Sequence, residues 1–279
     1  MKNILLPTDF SENSWNAIVY ALDFFTKKNC NFYLLHTTAI YKYYDGSSSI
    51  MIINSTIEKT LKNQAKTDLK KLRKKIKKLP VSTQHNFITI FSDEPLVSAI
   101  KSNVQEKNID LIVMGTKGAS GIKKAIIGSN TADLITKVKC PVLAIPEKAT
   151  FHKLNEIAFP TDYNIFYQTK ILNTLLELMK TCDASLRILH VRKKDEKLTT
   201  YQEGNKEYLH SFFMDEKHSF HRVTNKKIEA GVQCFVESRA IDMIVMVAKN
   251  LNLFQQILFK PTVEEISYHT EVPFLVLHE

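Results

Sequence analysis

The chain contains two copies of one pattern, and this internal repeat constrains the fold more than any other feature of the sequence. Four segments recur in the same order: ILLPTDF (4–10) as IAFPTDY (157–163), LLH (34–36) as ILH (188–190), IDLIVM (109–114) as IDMIVM (241–246), and PVLAI (141–145) as PFLVL (273–277). The first two pairs are offset by 153 and 154 residues and the last two by 132, so the second copy is shorter in its middle by about 22 residues. We therefore expect two domains in tandem, residues 1–148 and 153–279, each of ordinary domain size.

Short apolar runs alternate with helical patterns in both copies. In the first copy we expect strands at 3–6, 31–36, 86–91, 110–114 and 142–146. Continuous apolar runs such as LIVM at 111–114 are typical of parallel strands buried on both faces. The alternation predicts an α/β fold in which each domain is a doubly wound, five-stranded parallel sheet with helices on both faces. Such sheets bind ligands beyond the carboxyl ends of their strands.

Glycine is scarce in this chain and concentrated in one place. Only seven of the 279 residues are glycine, and four of them fall within fourteen residues: Gly115, Gly118, Gly121 and Gly128. The first two follow directly on the predicted strand 110–114, and Gly128-Ser129 opens a helical pattern. Glycines let backbone amides approach an anion, and a helix N-terminus presents unpaired N–H groups to phosphate. Nearby lysines add positive charge: Lys117, Lys123 and Lys124.

Three motifs together carry a resemblance to a known family. The spacing Gly115-x2-Gly118-x9-Gly128-Ser129 resembles the nucleotide-binding motif of the universal stress protein family. Pro7-Thr8-Asp9 resembles its adenosine-contacting element, and Cys140-Pro141-Val142-Leu143 resembles its last strand. The resemblance extends over nearly the whole chain, twice, and so implies a tandem universal stress protein with Rossmann-like domains. It also implies a role in stress response and an adenine nucleotide such as ATP, with or without Mg, as ligand.

The resemblance assigns roles to individual residues. Asp9 would contact the ribose or adenine end of the nucleotide, and Thr37 would lend backbone contacts to the base. The phosphates would be lined by the glycine motif. The nucleotide-binding residues implied in this way are Pro7, Thr8, Asp9, Thr37, Met114, Gly115, Thr116, Lys117, Gly118, Gly128, Ser129 and Asn130. Two of them have a simpler alternative role. Asp9 would then be no more than a cap of the helix that starts near Ser11, and Ser129 no more than a cap of its own helix.

The second copy departs from the glycine motif. At the offset of 132 residues, Gly115 becomes Val247, Gly118 becomes Asn250, and Gly128-Ser129 becomes Lys260-Pro261. A valine side chain would fill the space that a phosphate-cradling backbone leaves open, and proline has no N–H to donate. Asp162, the counterpart of Asp9, is retained, but the glycine motif that would bind phosphate is not. We therefore expect one nucleotide site per chain, in the first copy.

The function expected from these features is that of a non-catalytic nucleotide-binding sensor or regulator. No general base is positioned beside the glycine cluster, although slow ATP hydrolysis is not excluded. One alternative is a weak ATPase or another adenine-nucleotide enzyme on the same superfold. A second is a binder of nucleic acid or client proteins through the segment 58–78, which carries +8 of the net charge of +9. Because no aromatic residue interleaves its lysines, a solvated helix face is the favoured interpretation of that segment.

The remaining signals bear on location and assembly. No apolar run reaches the ~18 residues of a membrane span, and the first residues do not form an export signal. Four scattered cysteines favour a reducing, cytoplasmic location without disulfides or zinc. His210, His218 and His221 are expected to be a surface cluster rather than metal ligands. Without a pairing strand, the last strands 142–146 and 274–277 would be exposed edges of their sheets. The family resemblance implies that they pair the two copies about a pseudo-twofold axis, and it leaves a homodimer open.

Overall fold

The computed structural model describes residues 1–38, 55–80, 84–116, 128–249, 257 and 271–279. The described residues form ten strands and seven helices. The strands are β1 (Lys2–Pro7), β2 (Cys30–Thr37), β3 (His85–Ser92), β4 (Leu111–Gly115), β5 (Val142–Ile145), β6 (Glu156–Pro160), β7 (Ser185–Arg192), β8 (His218–Thr224), β9 (Met243–Val247) and β10 (Phe274–Leu277). The helices are α1 (Glu12–Phe24), α2 (Ser55–Ile76), α3 (Leu96–Glu106), α4 (Ser129–Lys137), α5 (Thr169–Cys182), α6 (Thr200–Phe212) and α7 (Ile228–Ser238).

All ten strands belong to one sheet, in the order β3-β2-β1-β4-β5-β10-β9-β6-β7-β8. Within each half the neighbouring strands are parallel, as the unbroken apolar runs predicted. The two halves meet where β10 pairs with β5 in the antiparallel direction, with Leu275 opposite Leu143. The prediction that the last strands of the two repeats pair with each other is therefore confirmed. In place of two separate sheets, the protein has one sheet that runs through both repeats.

Helices cover both faces of this sheet. One apolar cluster is formed with α1, α2, α5 and α6, and the other with α3, α4 and α7. Both clusters contain residues of the two halves, so the cores continue across the seam between β5 and β10. Among the described helices, none is both long and apolar enough to cross a membrane.

The strand order places a crevice between β1 and β4 in the first half. From β1 the chain passes outward to β2, whereas β4 is followed by β5 on the side of the seam. The connections therefore diverge from the carboxyl ends of two adjacent strands, which is where open α/β sheets bind ligands. In the second half β6 and β9 occupy the corresponding places, so the molecule has two such switch points.

Candidate functional site

Most of the predicted nucleotide-binding residues lie at the carboxyl edge of β1, β2 and β4 or at the start of α4. Pro7, Thr37 and Gly115 are the last residues of their strands, and Thr8 and Thr116 directly follow two of them. Met114 is the penultimate residue of β4 and is buried. Lys117 and Gly118 lie outside the described residues, as do Gly121, Lys123, Lys124, Asn250, Lys260 and Pro261.

The turn between β1 and α1 is organised by two side chains of the predicted motif. Buried Thr8 accepts a hydrogen bond from the Phe10 amide at 3.0 Å and shares one with Ser14 at 3.0 Å. Asp9 is exposed, and its Oδ1 accepts from the Ser11 amide at 3.1 Å and from the Ser11 hydroxyl at 2.5 Å. Ser11, not Asp9, is the N-cap of α1, since its hydroxyl accepts from the Ser14 amide. Asp9 therefore orients the capping residue while its carboxylate remains at the surface of the crevice.

Two residues that the sequence did not single out complete this turn. The His36 Nδ1 donates to the Thr8 carbonyl at 2.8 Å, and its ring packs on Phe10 with a centroid distance of 4.4 Å. Phe10 has a positive φ of 63°, a conformation that bulky side chains rarely adopt. Such strain persists where the surrounding structure holds it, and it tends to cluster at binding sites. The shared LLH and ILH segments of the two repeats were the available signal for this histidine.

Gly115 packs closely against a residue of α1. A Cβ at this position would lie 2.7 Å from the side-chain Nδ2 of Asn13 and 2.8 Å from its Cγ. Asn13 is buried in the first turn of α1, so the missing side chain of Gly115 lets that turn approach β4. The structure thus shows a packing role for Gly115, and the approach of a phosphate at this glycine stays a prediction.

The start of α4 lies against the end of β4. Gly128 is its N-cap in an extended conformation, without a side-chain hydrogen bond to the first turn. The Gly128 amide donates to the Thr116 carbonyl at 2.5 Å, and the Thr131 hydroxyl donates to the Gly115 carbonyl at 3.0 Å. Ser129 and Asn130 are exposed in the first turn. The helix therefore directs its first N–H groups and the positive end of its dipole toward the crevice.

The second half repeats the first turn of this site closely. Thr161 Oγ1 accepts from the Tyr163 amide at 3.0 Å, and the His190 Nδ1 donates to the Thr161 carbonyl at 2.9 Å. Asp162 Oδ1 accepts from the Asn164 amide at 3.0 Å, as Asp9 does from Ser11. Tyr163 also has a positive φ, 56°, close to the 63° of Phe10. The predicted loss of the site in the second copy therefore does not extend to the turn after its first strand.

The other side of the crevice differs between the halves. Val247 takes the place of Gly115, and its side chain is buried at the end of β9. At the offset of 153 residues Phe166 replaces Asn13, and it is 51% exposed instead of buried. Tyr167 replaces Ser14, and its hydroxyl donates to Thr161 Oγ1 at 2.8 Å from inside the core. In the second half, a buried valine and a buried tyrosine thus stand where the first half has Gly115 and Ser14.

The basic segment forms most of α2 and the turn after it. Ala65, Leu69, Leu72 and Ile76 are buried, and the lysines of the opposite face are exposed. Lys75 Nζ lies 3.8 Å from the centroid of the Trp15 ring, and Lys71 pairs with Asp68 at 2.9 Å. Part of the basic face is therefore engaged within the protein.

The three histidines do not form one cluster. His210 Nδ1 and His218 Nε2 are 3.1 Å apart, whereas His221 bonds to Ser219 and packs on Phe235 of α7, on the other side of the sheet. Burial, together with Arg239 and Arg187 nearby, lowers the pKa of His221. The part of the chain that the structure describes contains no group of three His, Cys, Asp or Glu residues arranged to hold a metal ion.

Comparisons with known proteins agree with this architecture. The universal stress protein family matches residues 1–146. Universal stress protein MJ0577 of Methanocaldococcus jannaschii is 26% identical over 159 residues, which are 53% of this chain and 96% of that protein. Universal stress protein A homolog 1 of Coxiella burnetii is 28% identical over 144 residues, 52% of this chain and 95% of its own length. Each of these relatives thus corresponds to about half of the chain.

The fold comparison extends to the chain as a whole. A universal stress protein from Archaeoglobus fulgidus superposes with a TM-score of 0.65, at 20% identity, over 99% of this chain and 96% of that one. At this identity the likeness concerns the fold, and it includes both halves. With the family match over the first half, the shared fold and the repeated turns at the strand ends, the chain belongs to the universal stress protein family.

Proposed function

We propose that the protein is a cytoplasmic, non-catalytic regulator of stress response that binds one adenine nucleotide per chain, ATP or a related molecule, in its first half. The observation that carries the proposal is the asymmetry at the two crevices. The first combines an exposed Asp9 with an α4 N-terminus that lacks a capping side chain, while in the second crevice Val247 takes the place of Gly115.

The residues of the first crevice suit the two ends of a nucleotide. A carboxylate accepts hydrogen bonds from ribose hydroxyls, and the first N–H groups of a helix donate to phosphate. Asp9, the strand ends at Pro7 and Thr37, and the first turn of α4 would hold such a ligand. Any Mg would come with the phosphates. The cytoplasmic part of the proposal is supported by the four cysteines of the chain, which are all free thiols. One of them, Cys140, is buried, and burial raises its pKa to about 12.

The non-catalytic part of the proposal is supported by how the polar groups of the crevice are used. The Oδ1 of Asp9 accepts two hydrogen bonds from Ser11, and His36 donates its Nδ1 proton to the Thr8 carbonyl. Both side chains therefore stabilise the turn. A group committed to orienting the backbone is a poor general base.

The test is titration of the full chain with ATP, combined with matched variants of the two halves. Asp9→Asn keeps the acceptor for Ser11 but removes the charge, and we expect it to weaken binding about tenfold. Asp162→Asn makes the same change in the second half and is expected to leave the affinity unchanged. Calorimetry should give one ATP per chain. Two ATP per chain, equal effects of the two variants, or steady release of phosphate would each contradict part of the proposal.

A further inference from the structure

In addition to the two crevices, the second half has a pocket between α6 and the carboxyl ends of β7 and β8. Its volume is about 530 Å³, within the range of roughly 300–1,000 Å³ that small-molecule sites occupy. The residues that line it are mostly basic or aromatic: Tyr163, His190, Arg192, Glu196, Lys197, Leu198, Glu203, Lys206, Phe220, His221 and Arg222. With four basic and two acidic residues, the lining has a formal charge of +2 when the histidines are neutral.

Arginine is concentrated at this pocket. The chain has 38 basic residues but only five arginines, and two of the five, Arg192 and Arg222, line it. Lysine would supply the same charge, but the planar guanidinium group of arginine also binds phosphate or carboxylate through two parallel hydrogen bonds. The choice of arginine at both positions therefore points to the recognition of an oxyanion.

The register of the sheet brings the two arginines together. Arg222 lies directly opposite His190 in the β7–β8 ladder, and Arg192 is two residues farther along β7 on the same face. One terminal nitrogen of Arg192 donates to the Glu196 carbonyl at 2.6 Å. Its Nε is buried and has no acceptor among the described residues. Buried donors are nearly always paired, so this N–H lacks the acceptor that a bound anion would supply.

His190 adds a fixed polar group to the wall. It is buried, and because a carbonyl can only accept, the hydrogen bond to Thr161 places the proton of the neutral ring on Nδ1. The Nε2 on the other edge of the ring is then an acceptor. Leu198, Phe220 and Tyr163 supply apolar surface beside these groups.

The arginines do not occur at the matching place in the first half. There His36 lies opposite Phe91 of β3, in the same register as His190 opposite Arg222. Two residues after His36 is Thr38, where the second half has Arg192. The pocket therefore combines a turn that both repeats share with a pair of arginines that only the second repeat has at these positions.

We propose that this pocket binds a small organic anion, with a phosphate or carboxylate group held by Arg192 and Arg222 and an apolar body against Leu198 and Phe220. The site is separate from the crevice proposed to bind nucleotide. It gives the second repeat a ligand of its own at the edge where the glycine motif has been replaced.

The experiment follows the Nε–H signals of the arginines by ¹⁵N NMR in the full-length protein. The first half contributes a single arginine, Arg73, so a ligand bound there leaves the other four signals unaffected. Phenyl phosphate and benzoate are the probes, because each carries one oxyanion on a flat apolar body. We expect one of them to shift the Arg192 and Arg222 signals saturably while Arg73 and Arg239 stay unchanged. The probe that saturates identifies the anionic group.

Variants connect the shifts to the pocket. Arg192→Gln and Arg222→Gln should each weaken the probe about tenfold, and Arg73→Gln should leave its affinity unchanged. If Arg222→Gln does not fold, Arg222→Lys keeps the charge and removes only the planar group, and it should weaken the probe several-fold. The proposal is overturned if neither probe gives a saturable shift at millimolar concentration. Equal shifts at Arg73 and Arg239, or unchanged affinity in the arginine variants, would also overturn it.

Discussion

The two halves of the protein begin alike and then diverge. After β1 and after β6 the chain makes the same turn, with a threonine hydroxyl that accepts an amide, a histidine that donates to the threonine carbonyl, and an aromatic residue at positive φ. Beyond this turn α1 starts at Glu12, whereas α5 starts at Thr169, four residues later than the repeat offset of 153 would place it. The local geometry of the first turn is thus independent of what happens to the rest of the crevice.

In this molecule the replacement of one glycine goes together with a different start of a distant helix, and we expect the two changes to be coupled. Gly115 leaves room for Asn13, which brings the first turn of α1 against β4. Where Val247 replaces Gly115, the corresponding residue Phe166 is exposed and the helix lacks this turn. The sequence motif reveals only the replacement of the glycine. The different helix start, about 80 residues earlier in the chain, is not part of that motif.

The largest effect is expected from removing one half altogether. In a chain that ends at Lys148, β5 would lose its partner β10 and become a bare apolar edge, because Val142 and Leu143 are buried at the seam. We expect this chain to dimerise through β5 or to aggregate, which sedimentation or light scattering would detect. Circular dichroism serves as the control that it retains secondary structure. A folded, soluble monomer would show that the seam is not needed to protect the first half.

How far the sequence predicted this molecule depends on the range of the interaction. Strands such as 31–36 and 142–146 were found within one or two residues, since continuous apolar runs report burial locally. The pairing of the last strands was implied by the family resemblance and is confirmed. The contact between Asn13 and Gly115, about 100 residues apart, leaves no local pattern and was missed.

The pocket around Arg192 and Arg222 was missed for the same reason. The two arginines are thirty residues apart in the sequence, and a connection that contains α6 separates their strands. They lie on one face only because β7 and β8 pair in parallel with a particular register. Periodicity within either strand does not reveal that register, so a site built from two strands stays hidden until the sheet is assembled.

The coupling between glycine and helix start can be tested by exchanging the residues. Gly115→Val should destabilise the protein by about 1–3 kcal/mol, because the added side chain meets Asn13 in a packed crevice. Val247→Ala should cost about 2 kcal/mol for the opposite reason, since it leaves a cavity at a buried position. Urea denaturation measures both changes.

Asn13→Ala distinguishes these two mechanisms. Combined with Gly115→Val it removes the atoms that the valine meets, so the double variant should recover part of the lost stability. Combined with Val247→Ala it should give a simple sum, because the two sites are in different halves. A double variant of Gly115 and Asn13 that is also additive would show that the contact does not explain the glycine.

The smallest effect concerns the ends of the two equivalent helices. Ser11 caps α1 through the Ser14 amide, whereas Gln168 is the N-cap of α5 without a side-chain hydrogen bond. Both residues have nearly the same extended backbone, with φ and ψ of −69° and 160° for Ser11 and −64° and 145° for Gln168. Loss of a serine cap costs about 1 kcal/mol, so Ser11→Ala should destabilise the protein by that amount.

The reverse change should improve the second half. Gln168→Ser places a hydroxyl where it can accept from the first turn of α5, and we expect a gain of about 0.5 kcal/mol in the free energy of unfolding. Gln168→Ala is the matched control, because it removes the contact of the Gln168 amide with Glu279 without adding an acceptor. If serine and alanine at this position have the same effect, the backbone at the start of α5 does not resemble a cap closely enough for a hydroxyl to serve it. The shift of the helix start by four residues would then have changed the geometry of the N-terminus as well as its place in the sequence.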